Sequence, residues 1–193
     1  MAQQILFIHG GECFDSHEEY MNFLRTKEVS PDDLRGKKRW RDHLQDDLGD
    51  DYEIFLPVMP NGWNAKYIEW KIWFEKFFPF LREEIILLGH SLGGLFIAKF
   101  LAENILPVKI KTTIILAAPF SEGDFALPES LEKFEKQVGK IYLYQSKDDP
   151  IVPFVDMEKY AAKLPSAEKV IFEDKEHFIL QEFPEMVEKL RSL

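Results

Sequence analysis

The stretch Ile85-Ile86-Leu87-Leu88-Gly89-His90-Ser91-Leu92-Gly93-Gly94 decides the reading of this chain. Four consecutive aliphatic residues with no polar alternation are what a strand covered on both faces of a parallel sheet requires. They run into Gly-x-Ser-x-Gly, and Leu95 to Asn104 then has the composition of a helix. By chance the motif alone turns up in roughly one chain of this length in twenty, from average residue usage. Its place between a strand and a helix is what gives it weight. Glycines at 89 and 93 leave room for a turn that must close against neighbouring strands.

Working outward, five further segments read as strands: Ile5 to His9, Tyr52 to Leu56, Thr112 to Ala117, Lys140 to Gln145 and Lys169 to Phe172. With Ile85 to Gly89 they make six, and the segments between them have helical spacing, as crossovers of parallel strands must. The expected fold is therefore α/β: an open, doubly wound sheet of about six mostly parallel strands with helices on both faces. Ser16 followed by Glu19 is a capping-box pattern opening a helix whose stripe is Tyr20, Phe23 and Leu24. Trp70, Trp73, Phe74, Phe77 and Phe78 form the stripe of a second helix, which Pro79 should end or kink. Leu131, Phe134 and Val138 precede Gly139, expected as a left-handed residue closing a third. Phe183, Met186, Val187 and Leu190 mark a C-terminal helix.

At 193 residues, with 24 Lys and Arg against 34 Asp and Glu, the chain suits one domain spanning 1–193 and carries a net charge of -10. That field repels phosphate backbones and anionic lipid, so neither nucleic acid nor membrane is an expected partner. The basic cluster Lys37-Lys38-Arg39-Trp40-Arg41 lies between Asp32-Asp33 and Asp46-Asp47 and reads as a solvated helix face. Cys13 has no intrachain partner, Met1 to Ile8 lacks the basic start of a signal peptide, and Glu75, Lys76 and Pro79 interrupt the most apolar region. The expectation is a soluble, cytoplasmic protein, a monomer or weak homo-oligomer. No phosphate-binding or dinucleotide glycine loop and no zinc-binding His-Glu-x-x-His is present, so no cofactor and no metal is expected.

In such sheets ligands bind beyond the carboxyl ends of the strands, which puts the chemistry on the loops that follow them. Ser91 is the candidate nucleophile, with the first N–H groups of the following helix placed where an oxyanion would form. A serine hydroxyl needs a base. His177 is the one histidine after the last strand, in Glu173-Asp174-Lys175-Glu176-His177-Phe178. An orienting acid should follow the fifth strand, where Asp148 and Asp149 stand before Pro150; the residues alone leave both open. Gly10-Gly11 after the first strand is the expected source of a second oxyanion donor, with Gly11 facing Ser91 across the switch point. The plain alternatives are a tight turn with an inert serine, a solvated loop histidine and turn-forming aspartates.

Together, His9-Gly10-Gly11, Gly89-His90-Ser91-Leu92-Gly93, Asp149-Pro150-Ile151-Val152-Pro153 and His177-Phe178 resemble the α/β-hydrolase superfamily, in that family's chain order and over nearly the whole chain. Small size and Met59-Pro60-Asn61 resemble, within it, the compact serine hydrolases typified by retinoblastoma-binding protein nine and its YdeN-like bacterial relatives. The resemblance implies a minimal fold with no lid domain. It also implies Asp149 as the orienting acid through Asp-x-x-Val-Pro, Ser91 attacking an acyl carbon, His177 shuttling the proton, and the N–H groups of Leu92 and Gly11 holding the oxyanion. The Leu-x-Cys-x-Glu partner motif of the vertebrate member is absent, since Cys13 lies in Gly11-Glu12-Cys13-Phe14-Asp15. The implied activity is hydrolysis of a small-molecule carboxylic ester or thioester through an acyl-enzyme. The competing reading is a catalytically silent binding module on the same fold. Trp63 and Phe125 are expected in apolar walls of the site, and Ala118 to Glu129 is too short for an inserted lid, which leaves the site open to solvent.

Overall fold

The computed structural model describes residues 2–36 and 38–193; Met1, the Lys37 of the basic cluster and the side chains of Asp32 and Asp33 lie outside the described residues. Six strands, β1 (Gln3–Ile8), β2 (Tyr52–Phe55), β3 (Glu84–His90), β4 (Lys109–Leu116), β5 (Val138–Ser146) and β6 (Glu168–Phe172), form one sheet in the order β2-β1-β3-β4-β5-β6. Every neighbouring pair is parallel. The helices are α1 (His17–Thr26), α2 (Pro31–Leu34), α3 (Trp40–Leu48), α4 (Tyr67–Glu75), α5 (Leu92–Glu103), α6 (Glu132–Gln137), α7 (Val155–Lys163) and α8 (Pro184–Arg191).

Because successive strand side chains point to opposite faces, the inner strands feed two cores, while the edge strand β6 packs Val170 and Phe172 into one and leaves Ile171 exposed. Leu6, Ile8, Ile85 and Leu87 pack with residues of α4, α5, α6 and α7. Ile5, Phe7, Ile86 and Leu88 pack on the other side with Trp40, Leu44 and Leu48 of α3 and with Met186 and Leu190 of α8. The apolar runs of β1, β3, β4 and β5 are thus buried on both faces, whereas the edge strands β2 and β6 are only partly covered. Strand order reverses between β1 and β3, the switch point beyond whose carboxyl ends sheets of this kind bind ligands.

Several local expectations are corrected. The second helix stops at Glu75, before Pro79; Phe77 and Phe78 fall in a turn and in the 3-10 segment Phe78–Phe80, and Trp73 is exposed. Gly139 is a strand residue of β5, not a left-handed helix terminus. It stands beside a register shift in the β3–β4 pairing, where a Cβ would lie 2.6 Å from the Lys111 carbonyl oxygen, so close backbone approach is what requires glycine there. The stripe of α1 buries no residue; the helix is capped by Ser16, whose hydroxyl accepts the Glu19 N–H at 3.1 Å, while Glu19 reaches back to the N–H of Asp15. The basic cluster is not a uniformly solvated face. Trp40 is core, edge-on to Phe7 and Phe183, and burial lowers the pKa of Arg41. Between β4 and α6 only the 3-10 turn Gly123–Phe125 intervenes.

Candidate active site

Ser91 joins β3 to α5 at φ 54° and ψ −128°, left-handed backbone that a side chain rarely adopts. The turn is closed by its neighbours. A Cβ on Gly93 would lie 2.3 Å from the carbonyl oxygen of Ile8 and 2.5 Å from that of His9, and one on Gly89 would lie 2.6 Å from the Gly93 carbonyl oxygen. The Ser91 N–H donates to Leu116 at the end of β4 (2.8 Å). The other non-glycine residues with positive φ, Asn61, Ala117, Glu176 and Phe178, also follow strands at their carboxyl ends. Backbone of this kind is unfavourable by roughly 1–3 kcal/mol per residue and persists only where surrounding contacts enforce it. Among the described residues it is confined to one rim of the sheet.

His177 lies on the loop after β6, and its Nδ1 is 2.8 Å from Asp149 Oδ2. Asp149, on the loop after β5, has a fully buried side chain. Its Oδ1 accepts the N–H groups of Ile151 (2.8 Å) and Val152 (2.9 Å), and Oδ2 also accepts from Gln145 (3.1 Å). Burial pushes the Asp149 carboxyl up, but the bonds from His177, Val152 and Ile151 outweigh it and hold the pKa below the ordinary aspartate value. Asp148 is turned to other work: it accepts from the Ser146 hydroxyl and from the Glu176 N–H (2.9 Å), tying the loop after β5 to the loop that carries His177. Ser146 reinforces the tie by accepting the Lys175 N–H at 3.0 Å.

After β1, it is Gly10 rather than Gly11 that stands against Ser91. A Cβ on Gly10 would lie 2.9 Å from Ser91 Cβ and 3.4 Å from Oγ, whereas Gly11 packs on the Gly62 carbonyl and the side chains of Trp70 and Leu92. His9 explains the arrangement. Its Nε2 accepts the Met59 N–H (2.8 Å), so the proton is on Nδ1, which donates to the Gly10 carbonyl oxygen at 2.5 Å. A trans peptide sets its C=O and N–H in opposite directions, so this bond turns the Gly11 N–H away from His9. Neither that N–H nor the Leu92 N–H has an acceptor among the described residues. Burial lowers the pKa of His9, in keeping with a neutral ring.

Of the expected apolar walls, Phe125 is buried in the core against Tyr67, Trp70 and Phe96, leaving Trp63 exposed beside Phe23. Three residues the sequence reading passed over support the site: Gln145, which braces Asp149 and the Val152 carbonyl; Ser146; and His90, whose ring lies 4.8 Å from that of His177. A polar residue ending an otherwise apolar strand, as Gln145 and Ser146 do in β5, is the signal that marks the first two. Burial and the nearby Glu122 and Asp124 carboxylates push the Cys13 thiol up to about 12, which removes it as a rival nucleophile. Among the described residues no three His, Cys, Asp or Glu side chains are grouped to hold a metal ion, and no helix is long and apolar enough to cross a membrane.

The sequence and the fold have matches among known proteins. Serine hydrolase RBBP9 of Rattus norvegicus is 25% identical over 157 residues, which cover 74% of this chain and 78% of that one. The structure of the ydeN gene product of B. subtilis aligns with a TM-score of 0.78 at 20% identity, over 99% of this chain and 98% of its own. A putative YdeN-like hydrolase from Pectobacterium atrosepticum aligns with a TM-score of 0.67 at 15% identity, over 98% and 90%. These likenesses establish an α/β-hydrolase fold. A model of the serine hydrolase family matches residues 33–186, a span that takes in Ser91, Asp149 and His177 and begins after Gly11. By that match over most of its length, the chain belongs to the serine hydrolase family.

Proposed function

We propose that the protein hydrolyses a carboxylic ester or thioester of a small molecule through an acyl-enzyme. Ser91 Oγ attacks the acyl carbon while His177 Nε2 takes the hydroxyl proton. The same proton goes to the departing alcohol or thiol as the bond to it breaks. Water then enters, giving its proton to His177 as its oxygen bonds to the acyl carbon, and the ester to Ser91 breaks with the proton returned to Oγ. Asp149 holds the Nδ1–H and offsets the charge on the imidazolium. The N–H groups of Leu92 and Gly11 receive the oxyanion.

One observation carries the reading: the 2.8 Å contact of His177 Nδ1 with the buried Asp149 carboxylate, which leaves Nε2 as the only ring nitrogen able to act as base. It is supported by the strained turn at Ser91 and by the two N–H groups that find no acceptor among the described residues. With only a 3-10 turn between β4 and α6, the substrates that suit the site are small or exposed acyl groups. A panel of p-nitrophenyl esters and acyl thioesters of graded chain length tests this. Turnover should be highest for short chains and disappear in Ser91→Ala; turnover that survives that substitution would place the chemistry elsewhere.

A further inference from the structure

The residue between Gly89 and Ser91 is more than a spacer. His90 ends β3, and its ring lies beside that of His177 with centroids 4.8 Å apart and planes tilted by 43°. Its Nε2 is 2.8 Å from the main-chain carbonyl oxygen of His177. A carbonyl oxygen only accepts, so Nε2 must carry the proton and donate. Burial, followed by the neighbouring His177 ring, holds the His90 pKa down to about 3, with Arg41 and Arg39 acting the same way; the ring is neutral at working pH.

His177 has particular need of such a bond. The residues on either side of it, Glu176 and Phe178, have φ of 47° and 55°, so it is a single step between two left-handed residues. The flanks are fastened: Lys175 N–H to Ser146, Glu176 N–H to Asp148, and the Phe178 carbonyl to the Trp40 indole N–H at 3.0 Å. Asp149 holds the ring at Nδ1 and so limits its rotation. The carbonyl of His177 itself is held by His90.

We propose that His90 is a positioning residue, whose Nε2–H bond to the His177 carbonyl sets the distance between base and nucleophile. His90 is covalently next to Ser91, so the path from Ser91 through one peptide and one imidazole to the backbone of His177 moves as a unit. A displacement of about 1 Å in such a constellation lowers rate by roughly a hundredfold. The inference rests on the acyl-enzyme reading above and deepens it.

His90→Gln and His90→Met test it, because the two side chains have nearly the same length and shape and only the amide can donate where Nε2 does. His90→Met should lower kcat on a short p-nitrophenyl ester about ten- to a hundredfold at nearly constant KM, the pattern of lost alignment rather than lost binding. His90→Gln should recover most of that loss. Melting curves establish that both variants are folded. Equal activity of the two variants, whether both high or both low, would overturn the proposal. A measurement on the wild-type protein does not depend on either variant folding: nitrogen NMR should find His90 as the Nε2–H tautomer with a coupling across the bond to the His177 carbonyl carbon. An Nδ1–H tautomer at His90 would overturn it too. A folded wild-type protein that turns over no ester or thioester removes the reading on which this rests. An active wild type matched by an equally active His90→Met removes this inference alone.

Discussion

Asp148 and Asp149 are chemically identical neighbours with opposite environments. Asp149 is buried, braced by two backbone N–H groups and Gln145, and aimed at His177; Asp148 joins two loops through Ser146 and Glu176. Asp149→Asn would keep the shape but present an amide that no longer fixes the Nδ1–H tautomer. Turnover should then fall by on the order of a thousandfold or more. Asp148→Asn should keep most of its turnover, since the His177 ring does not touch it. Steady-state kinetics on one ester compare the two; equal losses would mean that the loop tie and the acid are equally needed. The residues alone reached this pair without separating it, and only the family resemblance, through Asp-x-x-Val-Pro, implied Asp149, because the distinguishing contact spans 28 positions and forms only when the β5 and β6 loops meet.

At the scale of elements, α5 lies so close to β1 that Gly93 has the Ile8 and His9 carbonyl oxygens where a side chain would be. Gly93→Ala must separate the two elements or distort the turn, so it should destabilise by about 3 kcal/mol, the upper end of what overpacking does. Urea unfolding measures this; a loss under ~1 kcal/mol, the scale of an ordinary surface change, would show that the crossover has slack. Features of this local kind were legible in the sequence. Glycine spacing marked the Ser91 turn, and unbroken aliphatic runs marked strands buried on two faces. Features set by a distant partner were not. Gly139 looks like a helix terminus until the Lys111 carbonyl is seen beside it, and Trp40 sits among cations yet packs on Phe7 and Phe183. Phe125 likewise looks like a site wall in a loop, and is core because Trp70 and Phe96 reach it from α4 and α5.

Across the whole molecule, the site depends on groups that must stay neutral or charged within it. His90 is held down to about 3 and His9 is also lowered, both chiefly by burial. As pH falls below the ordinary histidine value of about 6.5, the unfolded chain takes up protons that the native protein refuses. Stability present at neutral pH is therefore lost on acidification, by up to about 1.4 kcal/mol per pH unit for each histidine, continuing to about 3 for His90. Asp149, held below its ordinary value, adds stability above the carboxylate range that is lost as pH falls through it. Chemical denaturation at pH 7, 6 and 5 should show the histidine part of this decline, and His90→Gln should shallow it. A flat profile would contradict buried neutral histidines. The central claim, that this sheet presents Ser91 as a nucleophile activated by His177, is met most directly by a fluorophosphonate probe and mass analysis of the digested protein. A covalent adduct on the peptide carrying Ser91, absent in Ser91→Ala and slowed in His177→Ala, is the expected result. Folded wild-type protein that takes up no label at Ser91 would contradict it.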